Sequence, residues 1–303
     1  MKETNELLTI RDFLRWATSR FNEAGLYFGH GTDNAWDEAA LLILHTLHLP
    51  HHVAGKVMDS RITSSEREQL IALIERRIKE RIPLSYLTHE AWFAGLSFYV
   101  DERVLIPRSP LGELIANHFE PWLGYRYVGN ILDLCTGSGC IAVASAKAFP
   151  FAHVDASDIS KDALAVANIN LARHHVEDQV HLIESNLFEN IPPKQYDIII
   201  SNPPYVDQAD MDDLPAEYRH EPTLGLAAGH DGLKIVLDIL RDAKNWLSPN
   251  GLLIVETGNS ETALVEKLPE IPFNWLEFEC GGNGVFLLTR KELDAHFTTI
   301  LNA

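Results

Sequence analysis

From Val128 to the C-terminus, short apolar runs alternate with helical patterns, and this alternation restricts the fold more than any other feature of the chain. The runs are Ile131-Leu132-Asp133-Leu134 and residues 153–156, 180–183, 196–201, 252–255, 275–278 and 285–288; helical patterns fill most gaps, notably 161–174 and 233–247. Runs apolar at consecutive positions suit strands covered on both faces. With helices between them, they specify an α/β fold: a doubly wound, mostly parallel sheet of seven strands. The last two runs are joined by Cys280-Gly281-Gly282-Asn283-Gly284, too short for a crossover helix, so they are expected to pair antiparallel.

The first 80 residues read instead as a small helical domain. Leu7, Ile10, Leu14, Ala17 and Phe21 form one helical stripe, and Trp36, Ala40, Ile43 and Leu47 another. A third helix starts at a capping box, Thr63 with Glu66, buries Leu70, Leu73, Ile74 and Ile78, and stops before Pro83. Its other face carries Arg67, Arg76, Arg77, Lys79 and Arg81, expected to be solvated or, failing that, to contact an acidic partner or ribosomal RNA. Residues 90–106 turn aromatic and β-branched, with turns near Ala94-Gly95 and Asp101-Glu102, and read as a hairpin linking two domains.

Composition is that of an ordinary globular protein, at 46% hydrophobic and 22% charged. Met1-Lys2-Glu3-Thr4-Asn5-Glu6 carries acids where a signal peptide would be basic and then apolar, and the longest apolar run, 39–49, is broken by His45 and His48. A soluble, cytoplasmic protein without membrane association is expected. Cys135, Cys140 and Cys280 show no C-x-x-C pairing, and the adjacent pairs His51-His52 and His174-His175 lack ligand spacing, so neither a disulfide framework nor a metal is expected. Of the formal charge of −18, nearly all lies C-terminally: residues 1–85 hold 11 basic and 12 acidic side chains, residues 86–303 hold 14 and 31. Such a field repels phosphate backbones and attracts basic partners.

Candidate chemistry gathers at strand ends. After the first strand stands Cys135-Thr136-Gly137-Ser138-Gly139, whose glycines let the backbone approach a ligand while the next helix aims its N-terminus at the same place. A nucleotide-like ligand follows, but the motif lacks the Lys-Ser/Thr of a P-loop and the spacing of G-x-G-x-x-G, which argues against ATP and NAD. Asp158, about 20 residues beyond the glycines, is placed to accept from both ribose hydroxyls. It could instead cap the following helix, for which Ser160 is better placed. Asn186 could bond an adenine amino group, with Leu187 or Phe188 against its face. The fourth strand ends in Asn202-Pro203-Pro204-Tyr205, a rigid turn presenting one amide and fixed carbonyls, suited to gripping a planar NH2 group. This strand should lie beside the first, so both turns share a crevice.

In combination, Asp133-Leu134-Cys135-Thr136-Gly137-Ser138-Gly139, Asp158 and Asn202-Pro203-Pro204-Tyr205 resemble the S-adenosylmethionine-dependent amino methyltransferases. Ile106-Pro107-Arg108-Ser109-Pro110, the segment from Glu221-Pro222-Thr223 to Gly229, and the helical N-terminal domain look like those of the protein N5-glutamine methyltransferases. The release-factor branch has Pro-Arg-Pro-Glu-Thr-Glu after the hairpin and glycine where Cys135 stands. Pro107-Arg108-Ser109-Pro110-Leu111-Gly112-Glu113 is similar instead to the branch acting on large-subunit ribosomal protein L-three.

The resemblance implies a class I, Rossmann-like methyltransferase domain over residues 107–303, a β-hairpin linker over 86–106 and a substrate-recognition domain over 1–85. It implies S-adenosyl-L-methionine as methyl donor, held by Cys135, Thr136, Gly137, Ser138, Gly139, Asp158, Asn186 and Leu187. Catalysis falls to Asn202, Pro203, Pro204 and Tyr205: the Asn202 side-chain oxygen and the Pro203 carbonyl accept the two N–H bonds of a glutamine amide, and Tyr205 packs against it. The partner is a basic ribosomal protein, free or within an assembling ribosomal particle. Six acids between Asp207 and Glu221 form either a solvated lid or a rim that steers this substrate. The same turn serves enzymes that methylate exocyclic amines of nucleobases, but the acidic catalytic half disfavours a nucleic-acid substrate. Two rival readings stay open beside these: a release-factor substrate, and a non-catalytic module that only binds the methyl donor.

Overall fold

The computed structural model describes residues 3–302; Met1 and Lys2, from the segment read above as unlike a signal peptide, and the side chains of Glu3, His51 and Ala54 lie outside the described part. The chain forms two compact units, Met1–Glu90 with Pro215–His220, and Ala91–Leu214 with Glu221–Ala303.

In the first unit, α1 (Ile10–Glu23) and α3 (Ser64–Glu80) both start with reciprocal capping boxes, Thr9 with Asp12 and Thr63 with Glu66. Each box satisfies two helix-end N–H groups that would otherwise lack partners. The α1 stripe is buried as expected. In α2 (Ala35–Thr46) the buried face is rotated from the expected one: Trp36 is half exposed, and Ala35, Glu38, Ala39, Leu42 and Ile43 point inward.

The reason lies on α3, where Arg77 is 1% exposed rather than solvated. It falls seven residues after Leu70 and three after Ile74, on the same helical stripe. Its Nε donates to Glu38 at 2.7 Å, Nη1 to Glu217 at 3.3 Å and Nη2 to the Tyr27 carbonyl at 3.0 Å. Glu38 must therefore face inward, which sets the rotation of α2. Glu217 also accepts from Arg81 and from the Tyr27 N–H. Burial pulls its carboxyl upward, but these donors outweigh burial and hold it below the usual range.

The second unit begins with a hairpin, β1 (Ala91–Phe93) and β2 (Leu96–Phe98), and a short helix, α4 (Leu111–Ala116). A seven-stranded sheet follows: β3 (Asn130–Leu134), β4 (His153–Asp158), β5 (Val180–Glu184), β6 (Tyr196–Ser201), β7 (Leu247–Glu256), β8 (Asn274–Trp275) and β9 (Val285–Thr289), in spatial order β5-β4-β3-β6-β7-β9-β8. All pairings are parallel except those of β9 with β7 and β8. This is the doubly wound, mostly parallel class I arrangement expected, with an antiparallel pair at the end.

Successive strand residues enter opposite cores. Ile131, Val154, Ile198, Ile200 and Ile254 face one side, with α5 (Cys140–Ala148); Leu132, Leu134, Ile199, Leu253 and Val255 face the other, with α7 (Lys234–Asp242). Between them in the chain, α6 (Lys161–His174) connects β4 to β5. Each fully buried aliphatic side chain contributes about 1.5–3 kcal/mol, so two covered faces account for the absence of polar alternation. Helix α7 ends five residues before the expected Leu247, tightening into a 3-10 turn over Ala243–Asn245. The register pairs Leu134 with Ser201 and Ser201 with Val255, which aligns the carboxyl ends of β3, β6 and β7.

Candidate active site

At those aligned ends opens a cavity of about 210 Å³, wholly within the second unit. Its wall includes Cys135, Thr136, Gly137 and Ser138 from the turn after β3, Asp158 from β4, Asn186 and Leu187 after β5, and Asn202 and Pro204 after β6. The crevice shared by the two motif turns is thus present. Gly139 lies behind it as the N-cap of α5, and Pro203 is buried.

The glycine turn is built for close approach. Gly137 adopts φ +55°, and a Cβ there would meet no protein atom within 4 Å, so the space beside it belongs to the cavity. Cys135 also takes a left-handed φ of 60°, a conformation glycine adopts more cheaply. Burial, with Asp158 and Asp133 adding to it, raises the Cys135 thiol pKa and keeps the thiol neutral.

Asp158 is tied to this turn: Oδ2 accepts from the Gly137 N–H and Oδ1 from the Ser160 N–H, both at 2.9 Å. Helix α6 is capped instead by Ser160, whose hydroxyl accepts from Ala163. Burial raises the Asp158 carboxyl above its usual value against the pull of these N–H groups. Asn186 is exposed and donates to Glu189 at 2.7 Å. Leu187 lines the cavity, whereas Phe188 is buried and stacked on Trp246 with centroids 5.8 Å apart, which removes it as a cavity surface.

Beneath the turn, Asp133 is fully buried; Oδ2 accepts from the Thr136 hydroxyl at 2.5 Å, and Oδ1 has no hydrogen-bond partner among the described residues. Burial pushes this carboxyl up to about 7, opposed by Thr136 and the Ala142 N–H. An acid raised in the folded state binds more protons there than when unfolded, so its stability cost is absent below the unfolded value and complete above the folded one. Asp133→Asn should therefore stabilise the ligand-free protein by on the order of 4 kcal/mol at pH 8. The gain should fade as pH drops from 7 toward 4, which thermal unfolding across that range would test; an equal gain at pH 4 would contradict the assignment.

The turn over residues 202–205 divides its residues. The Asn202 side-chain amide, at the cavity wall, makes no hydrogen bond to another group among the described residues. Tyr205 does not line the cavity: its hydroxyl donates to Glu256 at 3.0 Å, its carbonyl accepts from Ser260 at 2.8 Å, and its ring lies where only glycine fits at 258, since a Cβ there would sit 2.4 Å from Cε2. After Tyr205, Val206 and Ala227 form a backbone bridge that closes the intervening excursion.

Of the six acids in that excursion, two are not on an acidic rim. Glu217 is the partner of Arg77, and Glu221 binds Arg108 through both oxygens at 2.6 and 2.9 Å while accepting from the Ile106 N–H at 3.0 Å. Asp207, Asp210, Asp212 and Asp213 remain on a short helix, Gln208–Asp213, with Asp207 as its N-cap. The Arg108–Glu221 clamp explains why residues 106–109 and 222–227 both contribute to the cavity wall. Both segments are distinctive in the sequence, but their contact is not; the arginine in one and the glutamate in the other are its only local signal.

Among the described residues no cluster of three or more His, Cys, Asp or Glu side chains could hold a metal ion, and no helix is long and apolar enough to cross a membrane.

Two family descriptions match parts of the chain: Methyltransferase small domain over residues 113–217 and PrmC N-terminal domain over residues 12–88. A ribosomal protein uL3 glutamine methyltransferase of Xanthomonas campestris pv. campestris is 55% identical over 296 residues, covering 98% of this chain and 96% of its own. The protein of the same description from Neisseria meningitidis serogroup B is 52% identical over 289 residues, covering 95% of each chain. With a cavity flanked by a glycine turn and an open asparagine amide, and with identity sustained over nearly the full length of both relatives, the chain belongs to the family of ribosomal protein uL3 glutamine methyltransferases.

Proposed function

We propose that the protein transfers a methyl group from S-adenosyl-L-methionine to the N5 nitrogen of a glutamine side chain in ribosomal protein uL3. The observation that carries this reading is the Asn202 amide, which has no hydrogen-bond partner among the described residues and stands beside the glycine turn. The cavity suits the donor: the space at Gly137 admits close approach, Asp158 offers a carboxylate to a ribose, and Asn186 and Leu187 bound the region for an adenine. When bound, the donor supplies an electrophilic methyl on a positively charged sulfur.

Chain residues act on the acceptor. An amide nitrogen is a poor nucleophile because its lone pair is delocalised into the carbonyl. The Asn202 oxygen and the Pro203 carbonyl accept its two N–H bonds, orienting the lone pair toward the methyl. Positive charge develops on that nitrogen as the N–C bond forms and the C–S bond breaks, so these acceptors bind the transition state more strongly than the ground state, and one N–H proton then passes to water to leave the neutral methylated amide. Orientation of the two reactants supplies much of the remaining acceleration. Exposed Asp210, Asp212 and Asp213, with half-buried Asp207, steer a basic ribosomal protein toward the site, in the cytoplasm and either free or in an assembling particle.

Incubation with labelled S-adenosylmethionine and separated ribosomal proteins and release factors tests this. Label is expected on one glutamine of uL3; label in a release factor alone, or in RNA, would overturn the substrate assignment.

A further inference from the structure

One buried acid beside the acceptor turn has no place in the mechanism above. Glu256 is the last residue of β7 and 5% exposed. Its neighbour Val255 pairs with Ser201 on β6, immediately before Asn202, so Glu256 stands level with the start of the acceptor turn. Oε1 accepts from the Tyr205 hydroxyl at 3.0 Å, and Oε2 accepts from the Ser109 hydroxyl. Ser109 in turn accepts from the Leu111 N–H at the start of α4 and lines the cavity. One carboxylate thus joins the far end of the acceptor turn to the cavity wall on the opposite segment.

We propose that Glu256 is a positioning residue for methyl transfer, fixing the acceptor turn over residues 202–205 against the Ser109 wall through the Tyr205 phenol. The inference rests on the amide-clamp reading given above. Tyr205 is held at its hydroxyl by Glu256, at its carbonyl by Ser260 and at its ring by Gly258, so the turn is braced from its C-terminal end while Asn202 stays open to the cavity. Such bracing decides whether Asn202 and Pro203 meet the amide at bonding distance. A buried carboxylate with one hydroxyl donor to each oxygen is a satisfied group, which a site can use as a rigid strut. Burial raises the Glu256 carboxyl above the usual range, opposed by the Ser109 and Tyr205 hydroxyls and by the nearby Arg108 guanidinium.

The test is a double-mutant cycle on Glu256→Gln and Tyr205→Phe, with Ser109→Ala as a third variant. Assays use whichever separated protein the wild type labels. Glu256→Gln is expected to lower kcat by about tenfold to a hundredfold, with KM for the protein and Kd for S-adenosylmethionine within about threefold of wild type. Tyr205→Phe should lower kcat in the wild-type background and add little in the Glu256→Gln background. A Glu256→Gln protein with near wild-type kcat, or additive losses in the cycle, would overturn the positioning role. If Glu256→Gln fails to fold, Tyr205→Phe and Ser109→Ala decide: full kcat in both overturns it. A wild type that labels no protein at all would sink both this inference and the functional reading, whereas an active wild type with an unimpaired Glu256→Gln variant would sink this inference alone.

Discussion

Replacing Asn202 with alanine should lower kcat by roughly 100- to 1000-fold while leaving S-adenosylmethionine affinity close to that of wild type. The range is that for loss of one preorganised group aimed at developing charge. Stability should change little, because the Asn202 side chain makes no hydrogen bond to the other described residues and its removal orphans no buried partner among them. Cofactor affinity should survive because the residues proposed to hold the donor, among them Gly137 and Asp158, lie on other strand ends. Single-turnover kinetics with isothermal titration of the cofactor would separate the two quantities. Retained turnover would remove Asn202 from the acceptor role, and parallel loss of binding and turnover would move it to the donor side.

The largest stability effect is expected in the first unit. Arg77→Met should cost about 3–5 kcal/mol, because it strips Glu38 of its one guanidinium partner and Glu217 of one of two in a nearly water-free setting. Burial already pushes the Glu38 carboxyl upward, with Arg77 as the main opposing influence. Without Arg77 that acid rises further. The deficit is then present above the unfolded carboxylate range and shrinks as pH falls and the acids take up protons. Urea unfolding at pH 8 and pH 5 should show the larger loss at pH 8. Adding Glu38→Gln should recover much of it, since Glu217 keeps Arg81 as a partner and the one carboxylate left without a cation is removed. A loss under about 1 kcal/mol would show that water reaches these groups, as at an exposed pair.

Features written locally in the chain were legible before the structure. The Thr63–Glu66 box, the Leu7 to Phe21 stripe and the span of β6 depend on residues within a few positions of one another, where periodicity and capping rules apply. The shared crevice was legible too, because strand order in a doubly wound sheet follows from parallel connections. What escaped was pairing across distance. Arg77 looked like surface charge because its partner Glu217 is 140 residues away, and Glu221 looked like rim because Arg108 is 113 residues away. Phe188 and Leu187 are adjacent in sequence, yet one joins the core, stacked on Trp246 from far along the chain, and the other stays at the cavity. Glu256 carries no local mark at all, being one more residue at the end of an apolar strand.

The dependence of Arg77 on Glu217 has a consequence for how such a protein can be taken apart or recombined. The first unit is not an uninterrupted stretch of chain: its interior charge balance is completed by six residues from the middle of the sequence. A gene cut after residue 90 would encode a fragment with two arginines missing a shared counter-ion, and a chimera joining the N-terminal segment of one relative to the remainder of another would draw the two halves of one electrostatic cluster from different proteins. Residues 1–90 and 215–220 should therefore be exchanged together, as a single unit of inheritance that the linear order of the gene conceals.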